Sequence, residues 1–397
     1  VGDVTAQYWF LLLVLVIVAA TVRGSFAFTV LYLLLGAYLF GRLWLSYSRK
    51  KISVRRVLQP YAFWGEEVTV RLEFRNHGLV PVPWIQAQES MPVNLATTRE
   101  MKRVLAIGPR GHQALTYQLR ARKRGYYQVG PLFTLMGDIL GLAGAEVGEI
   151  GADRLTVYPR IVPMPYLTLP SRSPQGTLRH TQPIFEDPTR VRGKRDYIPG
   201  DSLRRVDWKA TAISGRLQVK QFEPSIALEV ALCLNLNQGE YPSQYRIDTT
   251  ELAIVAAASV ANRVVAQRQA VGLATNGLDP LETSEAILFI PPRKGRGHLI
   301  RILEVLARLQ AVEGYPLVTV LNAVSPRLSW GATLVVIAGQ ADEALFDELF
   351  QARRRGQNVV LMLVGRVVNI QESQRRAEHF GIPFYAVQEE DDLTACR

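Results

Sequence analysis

Two apolar runs at the start of the chain constrain everything that follows them. Tyr8 to Val22 (YWFLLLVLVIVAATV) carries no charge, and Ser25 to Tyr47 (SFAFTVLYLLLGAYLFGRLWLSY) carries only Arg42. A bilayer core asks for about 20 apolar residues per helix. The second run has that length, and the first reaches it only with the neutral residues before Tyr8. Arg23-Gly24 between them leaves room for no more than a tight turn, so the pattern predicts a transmembrane helical hairpin over residues 1–48. A cleaved signal peptide is the competing reading of the first run. It fits poorly, because Val1–Gln7 holds Asp3 and no Lys or Arg, and a second span follows at once.

Charge sets the expected orientation. Arg49, Lys50, Lys51, Arg55 and Arg56 follow the second run, whereas the turn holds Arg23 alone. Basic residues stay on the cytoplasmic side. The expectation is a two-pass protein of the inner or plasma membrane with both termini and all soluble parts in the cytoplasm. Two clusters account for the net charge of +11: residues 42–56 hold six basic side chains and no acid, and residues 190–220 hold nine basic side chains against Asp196, Asp201 and Asp207. The first cluster is explained by the lipid bilayer and its anionic headgroups; the second needs its own account. Two cysteines, Cys233 and Cys396, supply no disulfide framework.

Residues 49–165 read as all-β. In EEVTVRLEFRNHG, Val68, Val70, Leu72 and Phe74 alternate with polar residues and Asn76-His77-Gly78 signals a turn. ALTYQLRA, GYYQVGPLFTLM and DRLTVYP continue the pattern, which predicts an immunoglobulin-like β-sandwich. Residues 166–225 combine a linker rich in Pro, Ser, Gly and Thr (Pro170–Pro183) with the second basic cluster. From 226 to 397 strands alternate with helices: ALEVALCLNLN and NVVLMLVG read as buried parallel strands, and Asp248 and Glu251 have capping-box spacing before a long apolar helix. This predicts a doubly wound α/β domain.

Most familiar chemistry is missing from that α/β region. It has no GxxxxGK[ST], no GxGxxG opening a helix and no GxSxG elbow, and the five histidines of the chain are scattered without metal-ligand spacing. Cys233 lies in an apolar strand and reads as core. The concentrated signal is RDYIPGDSLRRVDWKATAISGRLQVKQFEP, Arg195 to Pro224. Pro199-Gly200 makes a turn, and Asp201 is placed to cap a short helix from Ser202. Leu203 and Val206 can face inward, and Trp208 is large enough to anchor the segment in a core. Three readings remain open: Asp201, Asp207 and the arginines as a satisfied structural network; a docking surface for a protein or an anion made of Asp201, Arg204, Arg205, Asp207, Trp208 and Lys209; or hydrolysis by Asp201 and Asp207. Nucleic acid is disfavoured because aromatic residues do not interleave with the basic ones.

This segment closely resembles the signature of the bacterial domain-of-unknown-function 58 family. RKRGYYQVGPLFTLMGDILGLAG (Arg122–Gly144) and LTVYPRIVPM (Leu155–Met164) resemble that family's β-region. Ile213 departs from the pattern, where a basic residue is expected. The resemblance implies a C-terminal domain similar to von Willebrand factor A domains, which hold a divalent metal through DxSxS after the first strand. Here Asn235-Leu236-Asn237-Gln238-Gly239 stands in that place, and Ala338 or Gly339 takes the place of a later Asp. The implied metal site is therefore degenerate at Asn235, Asn237 and Gly239, and no cofactor is expected. The resemblance also implies a MoxR-type AAA+ ATPase as partner. A membrane-anchored, non-enzymatic cytoplasmic scaffold for assembly or maturation of membrane or envelope components is the leading expectation. A homo-oligomer is compatible with it. A hydrolase, or an anion or nucleic-acid binder using 190–220, is the alternative.

Overall fold

The computed structural model describes residues 10, 13, 14, 16, 17, 25–96, 98–138, 144–170, 186–224, 229–282, 287–366 and 369–396. The chain divides into two units, Val1–Arg160 with Leu306–Arg308, and Ile161–Val305 with Leu309–Arg397.

The first unit begins with helix α1 (Ser25–Arg49). Of the first apolar run, the described residues 10, 13, 14, 16 and 17 are helical. The rest of that run and the Arg23-Gly24 turn lie outside the described residues, as does nearly all of the Pro170–Pro183 linker. Among the described residues ten strands follow: β1 (Ile52–Val57), β2 (Tyr61–Ala62), β3 (Glu67–Asn76), β4 (Val82–Ser90), β5 (Glu100–Ile107), β6 (His112–Arg120), β7 (Gly125–Val129), β8 (Leu132–Gly137), β9 (Gly144–Ile150) and β10 (Asp153–Val157). They form three sheets, ordered β1-β3-β6, β5-β4-β8-β9 and β2-β10-β7. Strict alternation on β3 buries Val68, Val70, Leu72 and Phe74 on one face. Leu72 and Phe74 pack with Ile85 of β4 and Met136 of β8, so the first two sheets face each other across one apolar layer. Each such side chain, fully buried, contributes about 1.5–3 kcal/mol.

One polar cluster ties the three sheets together. Arg56 of β1 donates from Nε to Glu89 of β4 at 2.5 Å and from Nη1 to Asp153 of β10 at 3.0 Å. Tyr117 of β6 donates its hydroxyl to the other Glu89 oxygen at 2.6 Å. The Arg56 and Glu89 side chains are 1% and 0% exposed. Arg56 is therefore a core residue, and it must be removed from the basic cluster assigned to lipid headgroups.

The second unit holds a β-hairpin and an open sheet. The hairpin pairs β11 (Glu186–Asp196) with β12 (Gln218–Pro224), and a short helix α2 (Trp208–Ser214) lies between them. The sheet elements are β13 (Glu229–Leu234), α3 (Arg246–Ala266), β14 (Ala270–Thr275), β15 (Leu288–Arg293), α4 (Arg296–Arg308), α5 (Leu317–Val324), β16 (Thr333–Ala338), α6 (Glu343–Arg354), β17 (Asn358–Val364), α7 (Ile370–His379) and β18 (Phe384–Val387). Strand order is β15-β14-β13-β16-β17-β18, with β15 antiparallel and the others parallel. Central strands β13, β16 and β17 are buried almost throughout, which explains their unbroken apolar sequence. Ala231, Cys233, Val336 and Leu361 face α5 and α6. The alternate face of the sheet is covered by α3.

Helix α3 starts at Arg246 with no side-chain cap, so the expected Asp248/Glu251 capping box does not form. Two helical stretches, Phe28–Arg49 and Arg246–Ala266, are long and apolar enough to cross a membrane. They differ in burial: 72% of the Arg246–Ala266 window is buried against 17% for the other, which makes α3 the central helix of the α/β layer.

Candidate functional site

In the hairpin segment from Arg195 to Pro224, the carboxylates of Asp201 and Asp207 each hold structural bonds. Asp201 accepts from both terminal nitrogens of Arg195, at 2.6 and 2.7 Å, and from the Ile198 N–H at 3.0 Å. Asp207 accepts from Lys194 Nζ at 2.9 Å and from the Ala210 N–H at 3.1 Å. The Arg195 guanidinium and the Ile198 amide hold the Asp201 carboxyl below the usual carboxylate range; Lys194 and the Ala210 amide do the same for Asp207. The expected helix cap thus belongs to a different residue. Asp207 caps α2, whereas the 3-10 turn Leu203–Arg205 has no side-chain cap and Asp201 instead closes the preceding turn. Gly215 ends α2 at φ 67°, where a side chain would be strained.

Apolar residues of this segment divide sharply. Val206 and Val219 bridge the strands and are 6% and 2% exposed. Leu203, Trp208 and Ile213 are 63%, 68% and 81% exposed. Trp208 is therefore no core anchor. It occupies the first helical position after the Asp207 cap, on a helix that buries none of its residues. Arg204, Arg205 and Lys209 are exposed beside it. The segment thus combines exposed apolar side chains with exposed cations, on a hairpin held by the Lys194 and Arg195 ion pairs.

The second candidate place is the C-terminal edge of the sheet, where β13 has β14 on one side and β16 on the other. Connections diverge at such a switch point and leave a crevice. Asn235, directly after β13, donates from Nδ2 to Glu240 Oε2 at 2.6 Å; its Oδ1 accepts from the Asn237 N–H at 3.0 Å and from Asn276 Nδ2 at 2.9 Å. Asn237 Nδ2 and the Leu317 N–H both donate to Glu240 Oε1, each at 3.3 Å. Tyr241 donates to the Asn235 carbonyl at 2.6 Å, and its ring lies where a Cβ on Gly339 would come within 2.3 Å. Gly239 sits in the 3-10 turn between them and donates to Asn237 Oδ1 at 3.2 Å.

These residues do not fit a hard divalent cation. Such an ion takes oxygen ligands, several of them carboxylates. Here one carboxylate, Glu240, already accepts three N–H groups, and the amide nitrogens of Asn235 and Asn237 point at it. Glu240 and Tyr241 fill the place that the resemblance would give to a metal. Sequence reasoning missed both; the signal was the short spacing Asn235–Asn237–Glu240. Calorimetric titration of the chain with Mg²⁺ or Mn²⁺ is expected to show no binding at micromolar Kd, about −8 kcal/mol at 1 μM. Tight one-to-one binding abolished by Asn235→Ala would overturn that.

Nucleophilic chemistry fares no better here. Cys233 is fully buried, and desolvation pushes its thiol up to about 12. A cleft of about 580 Å³ beside the edge is walled by Leu278, Ile287, Val312 and Tyr315 with Asp279 and Glu313 at its margin. Asp279 is buried and accepts the Leu281 N–H, closing a turn.

Residues 193–372 match the family described as "Protein of unknown function DUF58". The chain is 24% identical over 248 residues to the uncharacterized protein YeaD of Bacillus subtilis (strain 168), a match covering 61% of this chain and 58% of that protein. Among solved structures, the CARDB domain of the PF1109 protein from Pyrococcus furiosus, crystallised with di-metal ions, is 15% identical with a TM-score of 0.21 and covers 27% of this chain and 86% of its own. A β-glucosidase from Listeria innocua is 12% identical with a TM-score of 0.19, covering 27% of this chain and 16% of its own. Neither structural likeness is close enough to bear on this chain.

Proposed function

We propose that this chain, with its DUF58 domain, is a non-enzymatic, membrane-anchored cytoplasmic scaffold. It works with a MoxR-type AAA+ ATPase in assembly or maturation of membrane or envelope components. The observation that carries this reading is the hairpin: Asp201 and Asp207, the two carboxylates of the hydrolase reading, are each tied to a neighbouring cation and a backbone N–H, while Leu203, Trp208 and Ile213 are exposed in a segment rich in cations. A hydrolytic pair needs one carboxyl free to give or take a proton. An exposed Trp preceded closely in the chain by exposed Arg204 and Arg205 supplies residue types enriched at protein-binding hot spots.

The α/β domain is read as von Willebrand factor A-like, and the immunoglobulin-like reading is kept for the β domain. Strand order β15-β14-β13-β16-β17-β18 with an antiparallel β15 supports the first; the facing sheets β1-β3-β6 and β5-β4-β8-β9 support the second. With the metal place filled by Glu240, such a domain recognises partners without an ion. The hairpin of apolar runs holds it in the membrane with Arg49, Lys50 and Lys51 on the cytoplasmic side.

A reporter fused after Arg397 is expected to read cytoplasmic, and an AAA+ ATPase is expected to co-purify from mild detergent. A reporter reading the far side of the membrane defeats the ATPase partnership, because those ATPases are cytoplasmic. Turnover of a phosphoester or amide that disappears in Asp201→Asn with the fold intact would favour the hydrolase instead.

A further inference from the structure

We propose that the β domain of the first unit rests directly on the phospholipid headgroup layer, with the loop His77–Pro81 in contact with it. This rests on the membrane-anchored reading above. Helix α1 has 25 residues, about 37 Å, nominally enough for a hydrocarbon core of about 30 Å. Its last part is already occupied. Gly41, Leu45 and Ser48 form one buried stripe. A Cβ on Gly41 would stand 2.5 Å from Asp138 Oδ2, and Leu45 belongs to the same core as Leu72, Phe74 and Ile85. Trp44 Nε1 donates to the Pro81 carbonyl at 3.0 Å.

A folded β domain with loop carbonyls and a carboxylate cannot stand beside the helix inside hydrocarbon, where lipid-exposed irregular backbone is not tolerated. The hydrocarbon therefore ends near Phe40. Above that level the described helix runs over Ser25–Phe40, 16 residues or about 24 Å.

Two further features place the interface at the same level. Phe40, Trp44 and Tyr47 form an aromatic band of the kind found at headgroup depth. Arg42, Arg49, Lys50, Lys51 and Arg55 are all exposed with no acid among them, matching phosphate. The loop lies at this foot of the helix: a Cβ on Gly78 would be 3.1 Å from the Tyr47 ring and 3.2 Å from Lys51 Cβ. The next residue, Leu79, is 63% exposed.

Spin labels at Leu33→Cys, Leu79→Cys and Val93→Cys test the seat, each in the full chain with Cys396→Ser, reconstituted in phosphatidylcholine vesicles containing phosphatidylglycerol. Val93 lies beyond Ser90, at the end of β4 remote from Pro81, and is 59% exposed. Oxygen against nickel-chelate accessibility is expected to place Leu33→Cys in hydrocarbon, Leu79→Cys at headgroup depth and Val93→Cys in water. Leu79→Cys as aqueous as Val93→Cys, with Leu33→Cys in hydrocarbon, overturns the seat and leaves the anchor standing. Leu33→Cys in water overturns the anchor itself.

Discussion

Replacing Glu89 with Ala is expected to destabilise the β domain by about 3–5 kcal/mol, because it removes the buried partner of the Arg56 guanidinium and leaves it only the half-exposed Asp153 and the Gly151 carbonyl. The Arg56 side chain is 1% exposed, and Glu89 is the partner that meets it inside the sheets. The Tyr117 hydroxyl loses its acceptor in the same step. For a unit of this size the loss lowers the melting transition by about 10–20 °C. Two controls separate charge burial from other causes. Glu67→Ala removes a pair with Arg120 in which both side chains are half exposed, at 3.6 Å, and is expected to change little. Arg56→Met combined with Glu89→Leu removes both charges and is expected to recover most of the stability, since an apolar pair of similar volume is often neutral or better. Thermal unfolding of the three variants decides it. Glu89→Ala melting like the parent would mean that water reaches Arg56.

Arg56 also shows what was legible and what was not. Counting charges placed it in a lipid-facing cluster, yet the period-2 pattern of Ile52, Val54 and Arg56 already put it on the inward face of a strand. Burial along β1 follows that pattern. Composition told the truth about the region and the wrong thing about one residue. On β3 no such conflict existed, so alternation alone identified the buried side chains. The parallel strands were legible for a related reason: β13, β16 and β17 are buried on both faces and carry unbroken apolar runs. Helix α5 escaped notice because LVTVLNAV, rich in Val and Thr, reads as readily as a strand.

The hairpin was harder to read, for a physical reason. The ion pairs Arg195–Asp201 and Lys194–Asp207 depend on where β11 turns back toward β12, which spacing in the chain does not give. Asp201 and Asp207 both precede short helices, and either is a plausible cap. Only the fold shows that Asp201 spends its oxygens on Arg195 and Ile198. Size suggested a core for Trp208, but a residue at the first position of a seven-residue helix has little to pack against.

Trp208→Ala is accordingly expected to leave thermal melting within about 0.5 kcal/mol of the parent, as surface substitutions do. If the proposed ATPase partner docks there, the same change is expected to weaken its capture by roughly 30-fold or more, equivalent to about 2 kcal/mol for a hot-spot aromatic. Ile213→Asp, on a side chain 81% exposed, should act in the same direction by placing a charge in an apolar contact. Asp207→Ala provides the contrast. It removes the α2 cap and the Lys194 pair together, so it should loosen the hairpin and reduce capture indirectly, with local protection from hydrogen exchange falling first. The informative comparison is between capture and exchange in each variant. Trp208→Ala should lose capture at unchanged exchange; Asp207→Ala should change both. Capture that survives Trp208→Ala and Ile213→Asp would remove the hairpin as the docking surface. A large drop in melting temperature for Trp208→Ala would show that its ring is covered in the folded protein, and the exposed face would then belong to a contact within the chain or between copies of it.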